Sequence, residues 1–193
     1  GACRMCITKI EGVRGHITAC TTEIDKDMVV TVFDDELENE RKEILDLLLS
    51  EHNEEYDESY YDEFKDLVER YGLDKPENRK FPSVWKELGY PIDESSPVLT
   101  YDATKCIKCF RCIKACDEIQ GKNVLSFTNR GITSYVVAGF GVWKDSECDG
   151  CGECVQLCPT GAIVEKTLID KVKLGNIDRK VRTTCAYCGV GCQ

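Results

Sequence analysis

The apolar positions of this chain follow two periods, and the change between them marks out its elements. Ile7 to Ile10 and Met28 to Phe33 are short stretches rich in Ile, Val and Thr, separated by the turn glycines Gly12 and Gly15. They predict a small β-rich unit. The period then becomes helical. Leu37, Ile44, Leu45 and Leu48 share one face, and Asp35 with Glu38 forms a capping-box pattern, so a helix ending near Ser50 is expected. Phe64, Leu67, Val68 and Tyr71 repeat the pattern, with Ser59 and Asp62 as a second capping box and Gly72 as the stop. Residues 73–99 carry Pro76, Pro82, Pro91 and Pro97 and read as a connector with a short helical piece near Val84 to Leu88. Val124 to Thr128, a turn at Asn129-Arg130-Gly131, and Ile132 to Val137 predict a hairpin. The expected fold class is α+β.

The longest apolar run, Tyr135 to Trp143, is broken by two glycines and falls far short of the ~20 residues a membrane helix needs. No membrane span is expected. At 193 residues and 42% hydrophobic the chain can build one or two ordinary cores. Its formal charge of −10 argues against a nucleic-acid partner, since phosphate binding relies on clustered Lys and Arg. The acidic stretch from Glu51 to Asp66 reads as a solvated face, with a docking surface as the alternative. The chain opens on Gly-Ala-Cys and stops one residue after a cysteine, so both ends read as cut.

Cysteine carries the chemistry. The fourteen cysteines fall into four groups: Cys3, Cys6, Cys20; Cys106, Cys109, Cys112, Cys116; Cys148, Cys151, Cys154, Cys158; and Cys185, Cys188, Cys192. Four thiols within eleven residues, twice over, favour convergence on a centre over disulfides between loops. Zinc also takes C-x2-C pairs, but three cysteines at i, i+3 and i+6 with a fourth four residues on match the spacing of 4Fe-4S sites. In that spacing the first three thiolates hold one cubane and the fourth ligates the other. One cluster is therefore assigned to Cys106, Cys109, Cys112 and Cys158, the other to Cys148, Cys151, Cys154 and Cys116. Lys105, Lys108, Arg111 and Lys114 interleave the first motif, whereas Asp145, Glu147, Asp149 and Glu153 surround the second. Cations favour the reduced cluster, so the first is expected to be the easier to reduce.

On these motifs, residues 100–166 resemble bacterial two-cluster ferredoxins. Cys3, Cys6 and Cys20, spaced C-x2-C-x13-C, resemble the back part of a 2Fe-2S ferredoxin domain (residues 1–33) in the complex I large-subunit family. That resemblance implies a fourth ligand upstream. It also implies a His-Cys cluster site in the connector (residues 34–99), where His52 is present but Tyr56, Ser59 and Lys65 stand in the cysteine places. No cluster can form there, and His52, like His16, reads as an ordinary surface histidine. The last segment, residues 167–193, ends in Thr184-Cys185-Ala-Tyr-Cys188-Gly-Val-Gly-Cys192. This resembles the opening of molybdopterin oxidoreductase catalytic domains, where a further cysteine completes another 4Fe-4S site. Gly189-Val-Gly191 lacks the Lys-Ser/Thr of a phosphate loop.

The order of these parts resembles the front of a cytoplasmic molybdenum- or tungsten-dependent formate dehydrogenase catalytic subunit. The resemblance implies a bis-pterin Mo or W centre beyond Gln193, no catalytic residue within the chain, and redox partners bearing flavin or further clusters. Those partners would be linked to NAD(P) or ferredoxin, or would include a hydrogenase. A complex I-type subunit, an FeFe-hydrogenase front end and a zinc-binding interaction module are the alternatives.

Overall fold

The computed structural model describes residues 1–55, 62–167, 179, 181–185 and 189–192. Strand β1 (Ile7–Ile10) lies between β2 (Ile17–Thr18) and β3 (Val30–Thr31), antiparallel to both. Helix α1 (Asp35–Ser50) follows. Its cap is Asp34, one residue before the expected Asp35. Asp34 is extended (φ −157°) and its carboxylate accepts from the Leu37 N–H at 2.8 Å, while Lys9 holds it from β1 at 2.5 Å. The buried stripe is Leu37, Leu45 and Leu49, so the helix is turned slightly from the expected face and Leu48 is only partly covered. Arg41, on the same stripe, is buried with its charge satisfied. It donates to the Ile7 and Val32 carbonyls and to Glu38, each at 2.6 Å, and so ties α1 to the first sheet.

Helix α2 (Glu63–Arg70) is capped by Asp62, which accepts from the Lys65 N–H at 2.9 Å. Ser59 lies outside the described residues. Phe64 and Val68 are buried, and Leu67 and Tyr71 pack beside them. The helix ends as the sequence suggests, with Gly72 at φ 67° and a Leu73 N–H to Val68 carbonyl bond of 2.9 Å. The connector contains two short 3-10 turns, Pro76–Asn78 and Trp85–Glu87.

Strand β5 (Leu99–Asp102) is the centre of a second antiparallel sheet, flanked by β4 (Ile92–Asp93) and β8 (Ile163–Glu165). This sheet joins the two ends of the cysteine-rich region. Between them lie α3 (Arg111–Lys114), a π-turn (Ala115–Ile119), the hairpin β6 (Leu125–Thr128) and β7 (Tyr135–Ala138), and α4 (Glu153–Leu157). The second hairpin strand starts at Tyr135 instead of Ile132, because Gly131–Thr133 forms a 3-10 turn. Two apolar cores result. One packs the β5 and β8 strands against the hairpin and Trp143, and the other packs α1 against α2 and takes in Ile107 from the first cysteine loop. Among the described residues no helix is long and apolar enough to cross a membrane.

Candidate metal centres

The two cysteine loops have the same backbone. Lys108 and Phe110 in the first have positive φ (57° and 70°), and Gly150 and Gly152 occupy the corresponding positions of the second (71° and 82°). A left-handed residue with a side chain costs roughly 1–2 kcal/mol, and the first loop offsets that with contacts. The Lys108 ammonium donates to Glu51 at 2.6 Å, the Ile132 carbonyl at 2.7 Å and the Tyr90 hydroxyl at 2.9 Å. The Phe110 ring packs on Phe127 with centroids 4.5 Å apart. At the first of the two positions in the second loop there is no room for such a side chain, since a Cβ on Gly150 would lie 2.8 Å from Val98, whereas a Cβ on Gly152 would meet nothing within 4 Å.

Each loop feeds a short helix that carries the chain away at ~1.5 Å per residue. The fourth cysteine of each motif thus arrives beside the other loop. Cys106, Cys109, Cys112 and Cys158 line one small pocket. Cys148, Cys151, Cys154 and Cys116 line another. Cys116 sits in the π-turn after α3, a local widening of the helix often found at functional sites. Two pockets, each walled by four thiols and by mainly apolar neighbours, fit a group that the polypeptide does not itself supply.

Donors point at these sulfurs. The Lys108 N–H reaches Cys106 Sγ at 3.4 Å, and the Val124 N–H reaches Cys116 Sγ at 3.3 Å. The buried Tyr101 hydroxyl accepts from the Val136 N–H at 3.0 Å and lies close enough to Cys106 to act on its thiol. Thr160 Oγ1 lies 3.7 Å from Cys158 Sγ. Burial pushes the Cys106 thiol up to about 11, against the opposing Lys108 N–H, and pushes Cys109 and Cys154 up to about 12. Cys112 is raised too, first by burial and then by its neighbouring thiols. A metal entering either cavity must displace these protons, so loading and proton release are linked.

The connector braces the first cavity on two sides. The Phe64 N–H at the start of α2 donates to the Pro159 carbonyl at 3.0 Å, and the Asn53 N–H donates to Thr104 at 2.8 Å. His52 corrects the expectation of a surface histidine. It is 1% exposed, contacts the Lys105 carbonyl through Nδ1 at 3.0 Å, and meets the Phe64 ring edge-on at 4.8 Å. Burial lowers its pKa to about 4. Tyr56 lies outside the described residues. His16 is also partly buried, with Nδ1 2.6 Å from Glu40 and Nε2 3.7 Å from Glu36. Its two nitrogens face different carboxylates and Lys9 takes the other Glu36 oxygen at 2.6 Å, which makes this an ion-pair network.

Ion pairing reduces the expected charge contrast between the loops. Lys108 is paired with Glu51, Arg111 with Glu63 at 2.8 Å and Lys114 with Glu118 at 3.3 Å, while Asp149 is paired with Lys122 at 2.7 Å. The acidic stretch supplies two of those partners, and its Glu54 pairs with Arg79 at 2.6 Å. It is therefore, in part, internal counter-charge.

At the N-terminal trio, the β1–β2 register pairs Ile7 with Thr18 and brings Cys6 beside Cys20, where the two thiols act on each other. Cys3 is close enough to act electrostatically on Cys6 and on Cys109 of the first cavity. At the C-terminal trio, the Cys185 N–H donates to the Cys192 carbonyl at 2.7 Å, and both residues are exposed. Cys188 lies outside the described residues. Tyr101, Trp143 and the Lys108–Glu51 pair border these centres without any motif that announces them.

Residues 96–164 match the family model for the ferredoxin-like domain of NADH-quinone oxidoreductase subunit 3. The NADP-reducing hydrogenase subunit HndD of Solidesulfovibrio fructosivorans is 36% identical over 93% of the chain and 31% of its own length. An NADH-quinone oxidoreductase subunit of Rhizobium meliloti is 32% identical over 100% of the chain and 22% of its own length. A formate dehydrogenase-like protein of Staphylococcus haemolyticus is 25% identical over 98% of the chain and 23% of its own length. The chain thus spans less than a third of each of these relatives. A crystal structure of NAD+-reducing NiFe hydrogenase in the H2-reduced state shares the fold, with a TM-score of 0.72 and 24% identity over 91% of the chain and 74% of that chain. The chain is an oxidoreductase component, an iron-sulfur electron-transfer segment akin to those of NADH-quinone oxidoreductase, hydrogenase and formate dehydrogenase-like subunits.

Proposed function

We propose that this segment carries electrons between a Mo- or W-pterin site for formate and CO2 and a redox partner subunit, as the front of a cytoplasmic formate dehydrogenase. The observation that carries the electron-transfer reading is the pair of four-thiol cavities in which each fourth cysteine has crossed to the other loop. In this reading Cys106, Cys109, Cys112 and Cys158 hold one 4Fe-4S cluster, and Cys148, Cys151, Cys154 and Cys116 hold the second. Cys3, Cys6 and Cys20 belong to a 2Fe-2S site and Cys185, Cys188 and Cys192 to a third 4Fe-4S site, each with one ligand from outside these residues. A cluster bound at such a site accepts and passes on one electron at a time. The polypeptide excludes water, fixes the sulfurs and sets the potential. The four functional segments are residues 1–33, 34–99, 100–166 and 167–193.

The formate assignment rests on the closing Cys185 to Cys192 motif. The higher identity to the hydrogenase subunit favours a second reading, in which the same wire serves a hydrogen- or NADH-oxidising enzyme. The intact enzyme separates them. Reduction of its clusters by formate, with Mo or W present, supports the first reading. Reduction by hydrogen or NADH alone, with neither metal, supports the second.

A further inference from the structure

Most buried polar groups near the two cavities have partners. Asp46 and Asp62 each leave one carboxylate oxygen unmatched, but the other accepts a backbone N–H at 2.6 Å and 2.9 Å respectively. Trp143 differs, because its indole has a single polar atom. The residue is 3% exposed and its Nε1–H meets no acceptor in the protein. Leaving such a donor unpaired in the interior is unfavourable.

Trp143 is also held in place. Its backbone N–H donates to Asp93 Oδ2 at 2.9 Å and its carbonyl accepts from the Ser146 hydroxyl at 2.6 Å. Its ring packs against Tyr101 with centroids 5.3 Å apart, a contact that opposes rotation toward solvent. It lines the cavity walled by Cys116, Cys148, Cys151 and Cys154. Tyr101, its ring partner, lines the other cavity, where its hydroxyl acts on the Cys106 thiol. The aromatic pair thus contributes one residue to the wall of each cavity, and of its two polar groups only the indole N–H lacks a partner in the protein.

We propose that the Trp143 Nε1–H donates a hydrogen bond to a sulfur of the iron-sulfur group held by Cys116, Cys148, Cys151 and Cys154, and thereby raises the reduction potential of that centre. The inference rests on the reading of this cavity as a cluster site. Reduction adds negative charge that is shared with the sulfurs, so a donor aimed at one of them stabilises the reduced state more than the oxidised state. Trp143 is a positioning and tuning residue, and it takes no electron in this account.

The test uses the cluster-loaded full-length protein. Iron and acid-labile sulfide are measured first, because their absence from the second site defeats the cluster reading and this inference with it. With both clusters present, Trp143→Phe removes the donor and keeps an aromatic ring. At a fixed potential the reduced-to-oxidised ratio of the second cluster should then fall about tenfold, about 59 mV for one electron, while the first cluster is unchanged. An unmoved second cluster, or equal shifts in both, overturns the inference and leaves the cluster reading intact.

If the phenylalanine variant does not fold, benzothienylalanine at position 143 replaces only the N–H by sulfur, with the same expected shift. The unsubstituted protein gives an independent readout. The chain has two tryptophans, so 15N-indole labelling combined with Trp85→Phe isolates residue 143. Pulsed EPR of the reduced second cluster should detect that nitrogen and its exchangeable proton, and absence of both couplings overturns the inference.

Discussion

Glu51 controls the charge beside the first cavity, and neutralising it should make that cluster easier to reduce. Its carboxylate lies 2.6 Å from the Lys108 ammonium, which the Tyr90 hydroxyl and Ile132 carbonyl also hold. Glu51→Gln removes the negative charge but keeps an acceptor, so the lysine should stay where it is. The Lys108 N–H is 3.4 Å from Cys106 Sγ, and its side chain carries the cation further out. At ~8 Å and an effective dielectric of ~20, one unit of charge is worth ~2 kcal/mol, or ~90 mV for one electron. Side chains exposed by 17% and 24% allow solvent and salt to screen this to a few tens of millivolts, on the order of a third of the unscreened value. The assay is a redox titration with each cluster's EPR signal assigned. Glu51→Gln should raise the first cluster's potential, Lys108→Met should lower it, and the double variant should return near the parent value because the pair is neutral overall. If the double variant moves as far as either single one, the pairing argument is wrong.

Further predictions follow from packing, protonation and ligand exchange. Unfolded His52 has a pKa near ~6.5 against about 4 when folded, so above both values it contributes no proton-linked loss. Between them the unfolded state binds more protons, and stability should fall by about 3 kcal/mol as pH drops across that window. His52→Gln should flatten that slope in denaturant titrations read from pH 7 to 4, and an unchanged slope would discount the residue. Gly150→Ala, with φ 71° and a Cβ 2.8 Å from Val98, should cost roughly 1–3 kcal/mol and lower iron content at the second site, and adding Val98→Ala should restore part of it. Phe64→Ala should cost about 3–5 kcal/mol in thermal or chemical denaturation, because Phe64 is 1% exposed in the core that grips Ile107. Cys158→Ser should damage the cluster of Cys106, Cys109 and Cys112 and largely spare the other, as read by EPR.

The helices and the hairpin were legible because their signals are local. The Phe64, Leu67, Val68, Tyr71 stripe and the Gly72 stop describe α2 with no knowledge of its neighbours. The Asp34 cap was missed by one residue because Asp34 and Asp35 are equivalent in sequence, and the Lys9 contact that favours the first comes from another strand. The gathering of cysteines was legible for the same reason, since three thiols of each motif sit in one tight loop. Partners distant in sequence were not legible. Glu51 and Lys108 are 57 positions apart, and Glu63 and Arg111 are 48 apart, so counting charges near each motif suggested a contrast that pairing reduces. His52 read as a surface histidine because no soft partners stand in the cysteine places around it, yet the chain turns it under Phe64. Trp143 and Tyr101 belong to no motif, and their role depends on which cavity each strand or turn faces.

The central claim is the crossed set of ligands at two cluster sites. The most direct test is an anomalous difference map at the iron edge from crystals of the cluster-loaded protein. The account predicts two four-iron groups, one bonded by Cys106, Cys109, Cys112 and Cys158 and the other by Cys148, Cys151, Cys154 and Cys116. A map in which Cys158 bonds the group held by Cys148, Cys151 and Cys154, or one with single zinc ions in both cavities, would contradict it.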